Sequence, residues 1–98
     1  MKINDNGKKV KNLTEKNYKI YKNIINPLNL KRVTNGNDGY QLDHKYSIFE
    51  GFINDIDINI ISCHHNLNML EWKENRNKSY NSSIEIKELI NKINNDKS

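Results

Sequence analysis

Apolar residues recur at helical spacing near both ends of the chain, and short extended runs lie between these two segments. The first helical segment has its apolar residues on one face of an amphipathic helix. They are Tyr18, Tyr21, Ile24 and Ile25. Thr14 is the predicted N-cap and Pro27 the predicted end of this helix. Residues 1–11 lack such periodicity and are predicted to be a mobile basic arm, which leaves 12–98 as a single domain.

The last part of the chain, SSIEIKELINKI, has the clearest helical pattern. Ser82 is followed three residues later by Glu85, which is the spacing of a capping box at a helix start. Four residues repeat at helical intervals and predict an apolar stripe. They are Ile86, Leu89, Ile90 and Ile93.

Between the two helices the pattern predicts two strands and several irregular segments. YQLDH (40–44) is an extended run, and NLNMLEW (66–72) has the alternation of a second strand. LNLKRV is a candidate strand before the turn-rich TNGNDG, so a hairpin and a long loop both remain open. NDIDINIIS predicts a loop with one helical turn, and KENRNKS suits an exposed polar helix. Together these elements predict a small α+β fold.

Composition narrows the class of protein. The 98 residues carry a formal net charge of +4, and lysines are dense near the start of the chain. Such a surface favours polyanions by counterion release, although a merely solvated lysine-rich face explains the charge equally well. A single cysteine, Cys63, excludes an internal disulfide and a cysteine-cluster zinc site. Because no apolar run approaches the ~20 residues that cross a bilayer, we expect a soluble cytoplasmic protein without a membrane partner.

The polar residues of the middle segment follow a recognisable order. Asp43 and His44 are adjacent at the end of the first strand, Asn66 begins the second strand, and Asn75 follows in the polar helix. This strand, strand, helix order resembles the HNH nucleases of the His-Me finger superfamily, especially the homing endonucleases of phages and introns. The resemblance rests on LDHKYSIFEGF, HHNLNMLEW and KENRNKS, and it covers about 40–83.

The resemblance implies a ββα-metal core and assigns a role to each matching residue. It makes Asp43 a metal ligand, His44 the general base and Asn66 the residue that fixes the base. Asn75 matches the last position of the motif and is the second metal ligand. The implied cofactor is one divalent ion, Mg²⁺ or alternatively Mn²⁺. No structural zinc is expected, because the cysteine pairs of many relatives are missing.

The implied activity is that of a metal-dependent DNA endonuclease that nicks or cuts double-stranded DNA. Hydrolysis needs a base near neutral pH, which an imidazole with an ordinary pKa near 6.5 provides. Arg76 and Lys78 are expected to bind flanking phosphates of the DNA. A homodimer would serve for double-strand cleavage, and the resemblance implies the cytoplasm of a bacterial or phage-infected cell. The alternative is a non-catalytic nucleic-acid-binding module on the same scaffold.

In a regular strand Asp43 and His44 face opposite sides, so both serve one site only if the strand ends at this pair. By the same rule, adjacent His64 and His65 on a strand diverge, which argues against a zinc site with Cys63. Gly51, after the first strand, permits a backbone conformation that other residues resist. The expected packing residues are Leu42, Ile48, Phe52, Leu67, Leu70 and Trp72.

Overall fold

The computed structural model describes residues 3–33 and 38–96. In this part of the chain six helices and one 3₁₀ turn surround a two-stranded antiparallel sheet, which makes an α+β fold. The helices are α1 (Ile3–Ile20), α2 (Lys22–Ile25), α3 (Ile48–Ile53), α4 (Ile58–Ile61), α5 (Trp72–Lys78) and α6 (Ile86–Asp96). The strands are β1 (Tyr40–His44) and β2 (Leu67–Glu71), and the 3₁₀ turn His64–Asn66 directly precedes β2.

Helix α1 is longer than the sequence pattern indicates. The predicted arm, 1–11, is helical from Ile3 onward, and only residues 1 and 2 lie outside the described part. Thr14 is inside this helix, so its prediction as an N-cap is wrong. Val10 and Thr14, four residues apart on one helix face, are both buried, and α1 packs against α4. Tertiary packing therefore extends a helix whose local sequence is mostly polar.

The end of the first helical segment was predicted correctly. Tyr21 separates α1 from α2, and α2 ends at Ile25, two residues before Pro27. The following LNLKRV segment forms no strand in its described residues; Arg32 makes one isolated parallel bridge to Tyr40. Because a hairpin would pair antiparallel, the long-loop alternative holds here. Residues 34–37 of the turn-rich segment lie outside the described part.

Both predicted strands are present and form the sheet. In their register Asp43 is opposite Asn68, and His44 is opposite Leu67. Helix α5 begins at Trp72, immediately after β2, and packs against both strands. The polar helix predicted from KENRNKS is thereby confirmed.

Residues 47–61 form two short helices between the strands. Ser47 caps α3, because its hydroxyl accepts a hydrogen bond from the Glu50 amide. The single helical turn predicted in NDIDINIIS is α4. Gly51 lies within α3 and does not use the conformational freedom that glycine permits. Its importance is steric, since a Cβ placed there would lie 2.5 Å from Cδ1 of Ile61.

Helix α6 is confirmed, but its predicted capping box is wrong. Ser82 lies four residues before the helix starts. Its hydroxyl accepts a hydrogen bond from the Ser47 amide and donates one to the Glu50 carboxylate. The hydroxyl therefore supports the start of α3 rather than that of α6. Tertiary contact has redirected a side chain that the local motif assigned to its own helix.

The core lies between α6 and the segment after β1. Tyr46, Ile84 and Leu89 are buried together, with Ile86 and Ile93 packed against them. The apolar stripe predicted for α6 faces this cluster, except that Ile90 is 37 % exposed. Among the expected packing residues Leu67 is buried and the other five are partly exposed. No described helix combines the length and apolar character needed to cross a membrane.

We predict that Gly51→Ala destabilises the protein by about 1–3 kcal/mol, because the added methyl group overlaps Ile61 at a packed helix contact. The matched control is Gly7→Ala in α1, where an added Cβ meets no atom within 4 Å. That change should stabilise the protein by about 0.5–1 kcal/mol through helix propensity. Urea denaturation of the three proteins measures both effects, and equal stabilities for the two variants would contradict the assigned packing.

Candidate active site between β1 and helix α5

The buried amide of Asn66 holds the end of β1. Its Oδ1 accepts a hydrogen bond from the Tyr46 amide at 2.7 Å. Its Nδ2 donates to the Tyr46 carbonyl at 3.0 Å and to the Ile61 carbonyl at 2.7 Å. Its backbone carbonyl accepts from the Lys45 amide at 2.8 Å. Asn66 thus fixes the two residues after His44 and joins them to α4.

These contacts change how Asn66 relates to the predicted base. The described hydrogen bonds of its side chain go to backbone groups, and none of them goes to the His44 imidazole. Its effect on His44 therefore passes through the backbone, by ending the strand at a defined point. The predicted end of β1 at the Asp43–His44 pair is confirmed, since the strand stops at His44.

Asp43 is a buried carboxylate with one paired and one unpaired oxygen. Its Oδ1 lies 3.0 Å from Nζ of Lys78, and its side chain is only 4 % exposed. Its Oδ2 is buried and has no hydrogen-bond partner among the described residues. Burial raises the pKa of Asp43, and the Lys78 ammonium opposes that rise. An unpaired buried carboxylate oxygen is costly, and a cation would relieve the cost.

His44 lies beside Asp43 but is directed toward a different helix. Its Nε2 is 2.9 Å from Oγ1 of Thr14 on α1, while Asp43 contacts Lys78 on α5. The two side chains contact different helices, yet both border the same cavity. Burial, followed by the positive charge of Lys78, lowers the pKa of His44 to about 4. The imidazole is consequently neutral at pH 7 and able to accept a proton.

Two polar residues of helix α5, one turn apart, contact two residues that lie on the same face of β1. Asn75 Nδ2 donates to Oε1 of Gln41 at 2.7 Å. One turn later, Lys78 Nζ contacts Asp43 and also donates to the His44 carbonyl at 2.8 Å. Residues 41 and 43 share one strand face, just as residues 75 and 78 share one helix face. This spacing is a sequence signal that would have identified Gln41 and the position of Lys78.

The two predicted phosphate-binding residues occupy different environments. Arg76 is exposed, and its guanidinium carbon lies 4.9 Å from the centre of the Trp72 ring. The side chain of Lys78 is only 11 % exposed and its ammonium is engaged inside the site. Arg76 is therefore the better placed of the two for contact with a surface ligand.

The site residues share a cavity of about 380 Å³. Its polar lining includes Asp43, His44, Asn75 and Lys78. Two exposed aromatic residues, Phe49 and Tyr80, also line it, with ring centres 5.3 Å apart. The sequence pattern missed this aromatic pair and also Thr14, because the residues meet only in the folded chain.

Comparisons of the chain with models of protein families, with curated proteins and with solved structures gave no match.

We predict that acidification destabilises the protein through His44. Its pKa is about 4 when folded and ordinarily about 6.5, so the unfolded chain binds the proton more readily between these values. The associated stability is present above pH 6.5 and declines as the pH falls toward 4. The loss from pH 7 to pH 5 should be about 2 kcal/mol.

Denaturation of wild type and His44→Gln at the two pH values measures this contribution. Other titrating groups, including Asp43, affect both proteins alike and cancel in the comparison. The variant should show a smaller loss of stability between pH 7 and pH 5. An identical loss in both proteins would mean that His44 titrates normally in the folded state.

Proposed function

We propose that the protein is a metal-dependent DNA endonuclease of the His-Me finger type, with β1, β2 and α5 as its ββα-metal core. One observation carries the proposal: a buried carboxylate with an unpaired oxygen, a neutral imidazole and an amide line the same cavity. These are Asp43, His44 and Asn75. The resemblance of the sequence motifs to HNH nucleases assigns chemical roles to the same three residues.

The donor set suits a hard divalent cation. Asp43 offers its unpaired Oδ2, and Asn75 offers an amide oxygen, which are ligand types that Mg²⁺ and Mn²⁺ prefer. When bound, such an ion supplies Lewis-acid stabilisation of the charge on the phosphate and the leaving oxygen. Lys78 already brings a positive charge to the other oxygen of Asp43. It therefore balances part of the carboxylate charge before a metal arrives.

His44 serves as the general base for the attacking water. Its Nε2 is engaged by the Thr14 hydroxyl, so Nδ1 is the nitrogen left to take a proton. Thr14 positions the ring when its oxygen accepts the Nε2 hydrogen. A low pKa keeps the base unprotonated over the whole neutral range, although it also makes the base weaker. Asn66 contributes by fixing the backbone that follows His44.

Charge and exposed aromatic rings support DNA as the substrate. The net charge of +4 favours a polyanion, and α1 carries exposed lysines along its length. Phe49 and Tyr80 are 52 % and 70 % exposed beside the cavity, and such rings can stack on bases of an opened strand. With one site per chain, a single protomer nicks, and a double-strand break requires a homodimer or two events.

The central test is a supercoiled plasmid incubated with the protein and Mg²⁺ or Mn²⁺. We expect relaxation by wild type, and a decrease in rate of at least ~10²-fold for His44→Ala and for Asp43→Asn. Asn91→Ala, an exposed change on α6, is the control and should retain wild-type activity. DNA binding by His44→Ala should be retained.

Two results would contradict the proposal. Substantial cleavage by His44→Ala would exclude that imidazole as the base. A shift of the plasmid without relaxation in either metal would favour the non-catalytic nucleic-acid-binding module.

A second prediction concerns how DNA is held. Each phosphate that the protein neutralises adds about −0.9 to the slope of log affinity against log salt concentration. Arg76→Ala should flatten this slope by up to about one unit and weaken binding to unrelated sequences alike. Lys78→Ala is the internal comparison and should change the slope less, since its ammonium is paired within the site. Binding that is indifferent to salt, or an Arg76 effect on one sequence only, would argue against phosphate contact.

A further inference from the structure

A second cluster of metal-ligating side chains lies where the 3₁₀ turn meets the end of α6. Nε2 of His65 is 3.1 Å from Oδ2 of Asp96, and Nε2 of His64 is 3.9 Å from the same oxygen. Ligand atoms of the three residues all lie within 4.8 Å of one another. None of these residues lines the cavity that contains Asp43 and Asn75.

The two neighbouring imidazoles converge because of the local backbone. On a strand, successive side chains would point to opposite faces. His64 and His65 instead lie in a 3₁₀ turn, where successive side chains are about 120° apart. Their ring centres are 4.1 Å apart. The expectation that these two side chains diverge is therefore wrong.

We propose that His64, His65 and Asp96 bind a transition-metal dication of the Zn²⁺ type, at a site separate from the candidate active site. Two imidazole nitrogens and one carboxylate oxygen form a set that zinc accepts, with a fourth position for water. Imidazole ligands favour such a metal over Mg²⁺, which prefers oxygen. The two centres would therefore differ in the metal that they select.

The distances suit this metal after small side-chain movements. Zinc bonds of about 2.0–2.2 Å place tetrahedral ligand atoms roughly 3.3–3.5 Å apart. The separations of 3.1 Å and 3.9 Å lie on either side of that range. The Asp96 side chain is 60 % exposed, so it has room to adjust. The longest separation between ligand atoms in the cluster, which is at most 4.8 Å, requires a larger movement.

The histidine side of the cluster is held in place before any metal binds. The Tyr21 ring stacks on His64 with centres 3.8 Å apart and planes 16° apart. The His64 side chain is only 14 % exposed, so its ring has little freedom to move. Cys63 packs against the Tyr46–Leu89 core and is not a member of the ligand cluster.

A metal here would join two parts of the chain that are distant in sequence. The histidines immediately precede β2, and Asp96 ends α6. Binding to the folded state alone raises stability by an amount that grows with the logarithm of one plus the ratio of free metal concentration to dissociation constant. At a zinc concentration ~100 times the dissociation constant, the melting temperature of a domain this size should rise by about 10–20 °C.

The test is a titration of the full chain with Zn²⁺ alone at pH 7.5, read by competition with a chromophoric chelator and by thermal melting. We expect one ion per chain and the rise in melting temperature. His65→Ala and Asp96→Asn should weaken zinc binding by at least ~10²-fold. Asp96 is exposed, so its variant should fold even if a histidine variant does not. Glu88→Gln, an exposed change on α6, is the matched control and should bind like wild type.

Several results would contradict the proposed zinc site. Failure of wild type to bind zinc, or equal binding by wild type and Asp96→Asn, would overturn the site. Loss of binding in Cys63→Ser, with retention in Asp96→Asn, would overturn the ligand set. Because the readout uses no DNA, it is independent of the proposed endonuclease activity.

Discussion

The hydrogen bonds of the buried Asn66 amide are the constraint on which the rest of the structure depends. This side chain has no exposed surface, and both ends of its amide are satisfied by backbone groups of Tyr46 and Ile61. Loss of such an amide leaves several buried groups unpaired, each at a cost of about 1–3 kcal/mol. The contacts end β1, direct the chain into α3 and attach α4 in one step. They also bring the Tyr46 ring into the core beside Leu89.

A core this small makes polar contacts unusually important. Several helix ends and loop turns are held by side chains from distant segments, such as Ser82 at the start of α3 and Asn17 on the Ser62 carbonyl. Glu15 and Arg32 likewise form an ion pair between α1 and the segment before β1. Buried polar groups that are fully paired specify one arrangement of the chain. The protein therefore uses directed hydrogen bonds where a larger domain would use apolar packing.

In the candidate active site, by contrast, some buried polar groups are not paired. Asp43 Oδ2 and the opposing Asn68 Oδ1 are both buried without hydrogen-bond partners among the described residues. Partial burial of His44 likewise disfavours its charged form. These features reduce stability in the isolated chain, which is a recurrent property of functional sites. In the proposed nuclease, the same burial strengthens the attraction of the carboxylate for a cation.

The sequence alone determined the α+β class and the elements whose local pattern is strong. Both strands, α5, α6 and the end of α2 before Pro27 follow from short-range periodicity and breaker residues. The position of the candidate site was also predictable, since Asp43 and His44 end a strand and Asn75 lies on the following helix. The role of Asn66 was only partly predictable, because the sequence does not specify which groups a buried amide will contact.

Other features are set by contacts with residues far away in the chain. Burial of Val10 and Thr14 extends α1 through a polar segment. The close contact with Ile61 explains why position 51 is a glycine, since a Cβ there would overlap that side chain. The Ser82 hydroxyl forms hydrogen bonds with Ser47 and Glu50 at the start of α3 instead of capping α6. The 3₁₀ turn brings His64 and His65 together, where a strand would separate them. Local patterns report the preferences of neighbouring residues, whereas these outcomes depend on contacts between segments that meet only after folding.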